Sequence, residues 1–522
     1  MSAQVPNAAE PMGPPLHSPG GPPNEPPDFP QVMGHPRPLW MLFMSEFWER
    51  FAFYGIRWAL VLYIVAQFHG GDPSGEQPAG FIYGAYLALV YATAIFGGYI
   101  ADKVIGYQRS ILIGAAFMAA GLFAITIPNE DVFKLGLATI IVGNGLFKPN
   151  ISTMVGKLYA INDTRRDSGF TIFYMGINAG AFLAPIFTQV LAEKVFNTGS
   201  MPSYKVVFFA AGIGMLISLV WFAIGRASLK GIGAPEGEGK NPMRLVMVSV
   251  GALFVIPLVY FLLKANANNL QVVLTILFLI LAGMLIVEGV REGKVARDKT
   301  IAMMIIFAFN ILFWMFFEQA GSSFTFLAEN IVDRQGAMSW LTFGMDAFPT
   351  AWFQSVNSVA IILFAPVIAW VWVAMAKKNV NPSIPRKFCL GIIFNGLAFG
   401  LLMYALTFLV DPTINKIPFW TLFTVYWIQS IGELCLSPIG LSMVTKLAPV
   451  RLVGLGMGGW FLSTGIGNNL SGIFASHVSG TEGLSVASAL SGYTFGFWSL
   501  MIGGAILFLL APLIQKLMHG VK

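Results

Sequence analysis

At 522 residues the chain has the length of two or more soluble domains, but 56% of it is hydrophobic, 11% is charged and its mean hydropathy is +0.71. Those values belong to the membrane class and exclude an ordinary soluble protein. The formal charge of +6 is scattered over short loops with no dense basic patch, which excludes a nucleic-acid partner.

The first 38 residues are rich in Pro and Gly, as in Gly20-Gly21-Pro22-Pro23-Asn24-Glu25-Pro26-Pro27, and are expected to be a disordered tail because they offer no apolar core. A continuous apolar h-region is missing, so the first membrane helix is expected to act as the targeting signal. Apolar stretches long enough to cross a bilayer, about 20 residues each, then follow near 39–66, 80–100, 108–127, 134–156, 168–193, 204–225, 242–263, 270–289, 300–321, 350–375, 386–410, 418–441, 453–475 and 490–515. The expected protein is an all-α integral membrane protein with fourteen transmembrane helices. Pro149, Pro185, Pro366 and Pro438 are expected to interrupt helices, which membrane bundles tolerate. Cys389 and Cys435 lie far apart in apolar segments; no disulfide or metal site is expected, and both suit a reduced structural role.

The first span contains Glu46-Phe47-Trp48-Glu49-Arg50-Phe51-Ala52-Phe53-Tyr54-Gly55, with Arg57 just beyond. Glu46, Glu49, Arg50 and Arg57 follow i, i+3, i+4, i+11 spacing and so share one helix face. Ionised groups at the bilayer centre are costly and are paired or face a polar cavity. That stripe makes the chain a transporter before anything else. Alternate loops set its orientation. One set carries Lys103, Arg109, Lys157, Arg165, Arg166, Arg226, Lys230, Lys377, Lys378, Lys446 and Arg451 among others, and the opposite set only Lys134, Lys194, Lys205, Lys264, Arg334 and Lys416. By the positive-inside rule both termini are cytoplasmic. A multi-pass protein of the cell (inner) membrane is expected.

Gly97-Gly98-Tyr99-Ile100-Ala101-Asp102-Lys103-Val104-Ile105-Gly106-Tyr107-Gln108-Arg109 joins the second and third spans. It resembles the loop signature of the major facilitator superfamily, which implies two six-helix halves around a midplane site. The halves would be 39–226 and 300–515, with two inserted helices at 242–289 and a longer outer loop at 322–349. Five segments carry a closer resemblance. They are the first-span motif above, Gly143-Asn144-Gly145-Leu146-Phe147-Lys148-Pro149-Asn150, Phe173-Tyr174-Met175-Gly176-Ile177-Asn178-Ala179-Gly180, Phe313-Trp314-x-x-x-Glu318-Gln319 and Gly432-Glu433-Leu434-x-Leu436-Ser437-Pro438. In this order they are similar to the proton-coupled oligopeptide transporter family, from about residue 39 to the end.

The resemblance implies a proton-coupled symporter that imports di- and tripeptides by alternating access, without a cofactor, as a monomer in the lipid bilayer. A proton carrier must be a carboxylate whose proton affinity rises on burial and falls beside a cation, so that a moving partner moves the proton. Glu46, Glu49 and Arg50 supply that chemistry, and the family implies that Lys148 pairs with this cluster or with Glu318. For the substrate, Arg57 and Lys148 are expected at the peptide carboxylate, an arginine being a planar two-pronged donor, and Glu433 at the ammonium. Tyr54, Tyr91, Trp314 and Trp460 are candidate pocket walls, and Asn178, Asn357 and Gln354 candidate amide contacts. Each has a plainer alternative: a static ion-pair network for the charges, interhelical packing for the aromatics, and helix–helix hydrogen bonding for Asn178.

Three departures from relatives stand out. Phe53 replaces a second tyrosine, the second span lacks a histidine (His69 falls between spans), and the 411–417 connection is too short for the extracellular domain of mammalian relatives. The last favours a bacterial-type transporter. Two other readings remain: a carrier of another small zwitterion or an anion such as nitrate, and a peptide receptor that does not transport. An enzyme is not expected, since neither a nucleotide-binding Gly-Lys-Ser/Thr loop nor a His-Glu-x-x-His metal pair occurs.

Overall fold

The computed structural model describes residues 26–160, 163–197, 202–342 and 344–521. Fourteen long helices cross it: α1 (Arg37–Tyr63), α2 (Glu76–Ile100), α3 (Tyr107–Ala124), α4 (Glu130–Lys157), α5 (Arg166–Val190), α6 (Tyr204–Gly225), α7 (Pro242–Lys264), α8 (Ala267–Glu292) and α9 (Lys294–Phe317), then, after a short α10 (Ser323–Asn330), α11 (Trp352–Lys377), α12 (Ile384–Phe408), α13 (Phe419–Leu447), α14 (Val453–Ser479) and α15 (Val486–Leu517). Each overlaps one span expected from hydropathy. Eleven of the helices among the described residues are apolar and long enough to cross a membrane by composition alone. The other three, α4, α13 and α14, carry Lys148, Glu433 and the pair Asn468–Asn469, polar groups a bundle accepts only away from lipid.

Local chemistry sets several boundaries. Asn129 Oδ1 accepts from Val132 N at 3.0 Å to cap α4, and Ser485 and Ser488 cap α15 reciprocally, satisfying amides that a helix start leaves open. The prolines behave differently from the expectation: Pro149, Pro185, Pro366 and Pro438 lie inside helices that run through them.

In the first half α1 packs on α5 and α6, while α3 and α2 pack on α4; in the second, α12 packs on α13 and α15, and α9 on α14. The inserted helices flank this body, α7 against α4 and α8 against α9 and α14. The halves meet along α2–α14 and α5–α11. On the first seam glycines allow near-contact of the backbones: a Cβ on Gly84 would stand 2.6 Å from Gly472 Cα. Ser476 Oγ donates to Gln77 O at 2.7 Å. On the second seam Ser355 Oγ donates to Phe182 O at 2.8 Å and Ala351 N to Gln189 Oε1 at 2.7 Å. All these bonds lie at the charge-poor end of the bundle, where they hold the halves in contact.

The expectation of a disordered tail needs a correction. Residues 1–25 lie outside the described residues, but 26–38 are built into the fold. Strands β1 (Gln31–Val32) and β2 (His35–Pro36) pair antiparallel, Phe29 is buried, and His35 Nδ1 meets Tyr159 Oη at 2.8 Å. Arg165 Nη1 donates to Gln31 Oε1 and Gly34 O, both at 3.1 Å. An aromatic anchor and main-chain pairing thus order a segment whose composition reads as coil. The 322–349 loop holds α10 and β3 (Val332–Asp333), which pairs in parallel with β4 (Ile417–Pro418). Cys389 and Cys435 are both free and buried.

Candidate functional site

Three polar groups cluster between the halves. The first is on α1. Arg50 is 3% exposed and bonds Glu49 through Nε and, at 2.7 Å, through Nη2; Nε also stands 3.2 Å from Glu46 Oε1. Asn144 of α4 donates to Glu49 Oε1 at 3.1 Å. Glu49 is therefore held from two helices. Glu46 is held only through Oε1, and its Oε2 is buried without a hydrogen-bond partner among the described residues. Phe53 lies under the guanidinium, 5.0 Å from ring centre to Cζ, and stacks on Tyr86; the aromatic face does in part what a hydroxyl would have done.

Lys148 pairs with neither expected partner. Its Nζ sits over the Tyr91 ring at 4.6 Å, with Arg50, Glu49, Glu46 and Glu318 in electrostatic reach. A half-buried ammonium resting on a π face can turn to any of these carboxylates.

The second group joins the halves. Arg57 of α1 is ion-paired to Glu318, where α9 gives way to a short turn before α10, and its Nε donates to Tyr83 Oη at 2.6 Å. A Cβ at Gly321 would overlap Tyr83 Oη and stand 2.9 Å from Arg57 Nε, so only glycine lets the turn close on this pair. The third group is on α13 and α11: Asn357 Nδ2 donates to Glu433 Oε2 at 3.0 Å and to Ser430 Oγ at 2.9 Å.

Tyr54, Arg57, Phe317, Ala320, Gln354, Asn357, Ser358, Tyr426 and Gln429 line a central cavity with about 20 Å³ of free space, room for about one water. A dipeptide requires it to widen. Of the residues singled out from sequence, Tyr54, Arg57, Gln354 and Asn357 line it, with Glu318 and Glu433 bonded to its walls. The structure places the other expected residues outside this lining. Trp460 is 5% exposed and wedged among Phe307, Phe388 and Gly440, a core residue and not a wall. Trp314 donates to Asn310 Oδ1 at 3.0 Å. Asn178 spends its Nδ2 on Tyr174 O of its own helix at 2.9 Å. Tyr91 serves Lys148. Sequence reading missed Tyr83, Asn144, Tyr426, Gln429 and Ser430. Asn144 had a signal, one turn before Lys148 on the same face; the others had none.

The two carboxylates of the first group are separable by experiment. Glu49→Gln should destabilise the protein by about 3–5 kcal/mol, the cost of leaving Arg50 short of its buried partner. Glu46→Gln, which removes a single contact, should cost far less. Thermal unfolding in detergent ranks them, and equal losses would contradict the geometry.

The chain matches known proteins over most of its length. The family model described as PTR2, POT family, matches residues 108–488. The chain is 34% identical over 511 residues to "Peptide transporter YePEPT" of Yersinia enterocolitica and 33% identical over 503 residues to "Uncharacterized transporter YclF" of Bacillus subtilis, in each case across 94% of this chain and 96% of the relative. Among solved structures it is similar to a peptide transporter POT in complex with sulfate, with a TM-score of 0.80 and 33% identity, over 95% of this chain and 98% of that one.

Proposed function

The chain belongs to the POT family, and from that premise we propose how its own residues carry a proton and a peptide together. It is a multi-pass membrane transporter of di- and tripeptides, not an enzyme, and proton coupling is the general property of its family. The basic loops favour cytoplasmic termini in the inner membrane, which makes the charge-poor end the outer one. The single chain contains both halves of the site and works as a monomer.

The observation that carries the reading is the Arg57–Glu318 ion pair between α1 and α9. While it persists, the arginine's fork is engaged within the protein. A proton on Glu318 removes the carboxylate's charge and frees Arg57, still oriented by Tyr83, to take the peptide carboxylate. Glu433, held by Asn357, takes the peptide ammonium from the other half. A zwitterion bridging α1 and α13 draws the halves together, which ties occupancy to alternating access. Glu46, with one unpartnered oxygen beside Arg50 and near Lys148, is the second proton site on the way to the cytoplasm. Glu433 opposes the nitrate reading, since a lone anion leaves that carboxylate without a counter-ion.

Labelled dialanine uptake into proteoliposomes tests the reading. Accumulation that needs an inward proton gradient and collapses with a protonophore is the expected result. Flat traces from folded protein would overturn peptide symport and direct a thermal-shift screen towards other zwitterions and anions.

A further inference from the structure

A buried carboxylate at the charge-poor end of the bundle lies outside this site. Glu76, the first residue of α2, is 5% exposed. Its Oε1 accepts from Asn330 Nδ2 at 2.9 Å and its Oε2 from Leu484 N at 2.8 Å. Asn330 ends α10 and Leu484 lies in the α14–α15 connection. Both therefore belong to the second half, whereas Glu76 belongs to the first.

We infer that Glu76 is the outer latch of the transport cycle, a carboxylate of one half that clamps two separate segments of the other and must let go before peptide can enter from outside. Three features support this. The bonds are charge-assisted, and such bonds are roughly twice as strong as neutral ones. They sit at the end of the glycine seam, one residue from the Ser476–Gln77 bond, where a small rotation of the halves gives the largest separation. And the two donors come from segments 154 residues apart (484 − 330), so no local rearrangement replaces them. The inference rests on the alternating-access reading above.

Spin labels at Ser74, in the turn before α2, and Glu482, both exposed on opposite sides of the seam, read the latch by dipolar line broadening at short distance and by pulsed dipolar distances once it opens, in full-length protein. Cysteines would be introduced at these two positions, singly as controls and together, and the parent chain with only the buried Cys389 and Cys435 gives the labelling background. Glu76→Ala should add a longer-distance population absent from the parent. Asn330→Asp, which sets two carboxylates together, should do the same. The double variant Glu76→Gln/Asn330→Asp should return the short distance, because the glutamine amide donates to Asp while its oxygen accepts from Leu484 N. In proteoliposomes Glu76→Ala should lower the KM for external dialanine several-fold and lower kcat with it, the signature of a larger outward-facing fraction; a purely structural role would lower the yield of folded protein and leave KM unchanged. Distances in Glu76→Ala that superimpose on the parent, or a double variant as open as Asn330→Asp alone, would overturn the latch. The distance measurement needs no peptide, so its outcome is independent of whether dialanine is the cargo.

Discussion

Glu318→Gln is expected to abolish accumulation of peptide against its gradient while leaving peptide-for-peptide exchange in place. In the mechanism proposed above, the carboxylate alternates between its ion pair with Arg57 and a protonated, neutral form. Glutamine is neutral at every pH, so it imitates the protonated form and carries nothing. One proton moving through 100 mV releases about 2.3 kcal/mol, enough for roughly 50-fold accumulation at 1.4 kcal/mol per tenfold. The variant should show about onefold. A potassium-diffusion potential across proteoliposomes, with labelled dialanine as the cargo, measures this directly. Exchange must be scored in the same vesicles, because loss of both activities would mean that the substitution damaged the bundle. Accumulation that survives in Glu318→Gln would move the coupling proton to Glu46.

The second large effect concerns the other end of the substrate. Glu433→Gln should weaken binding of peptides with a free amino terminus by about 2 kcal/mol or more, the scale for breaking a desolvated charge pair, or roughly 30-fold in Kd. N-acetylated peptides, which present no ammonium, should lose little. The amide keeps the shape of the carboxylate and can still accept from Asn357, whose Nδ2 stands 3.0 Å from Glu433 Oε2, so the wall of the cavity is preserved. Competition against labelled dialanine by matched free and acetylated dipeptides gives both numbers. Equal weakening of the two series would remove Glu433 from ammonium recognition and leave it a packing residue of α13.

The two substitutions probe opposite ends of the substrate: Glu318 acts through Arg57 of the first half, and Glu433 belongs to the second. Arg57 and Glu318 meet across the interface between the halves, and Glu433 reaches the same cavity from α13 through Asn357 of α11. A substrate that satisfies only one side leaves a buried charge unpaired on the other, which is expensive in a site from which water is excluded. Selectivity for a zwitterion then arises from charge placement, with little demand on the side chains between the termini.

What the sequence by itself determined was everything that depends on neighbours in the chain. Hydropathy over about 20 residues located all fourteen long helices, eleven of which among the described residues are apolar enough to cross a membrane by composition alone, because burial in lipid is a property of a contiguous stretch. Helical spacing put Glu46, Glu49 and Arg50 on one face, and the structure finds them bonded. Five motifs supplied the family, and loop charges an expected orientation. The tail at 26–38 misled, since Pro and Gly report a lack of local helix and say nothing about an edge provided by Arg165 and Tyr159. Only the tertiary structure decided which charge meets which. Arg57 and Glu318 are 261 residues apart, Tyr83 reaches Arg57 only because Gly321 leaves room, and Lys148 rests on Tyr91 when either acidic partner was equally compatible with its place on α4. Trp460 looks the same in sequence whether it lines a pocket or fills a core. The physical reason is common to all four: contact across helices is set by the packing of whole faces, and no local pattern records which face a distant helix will present.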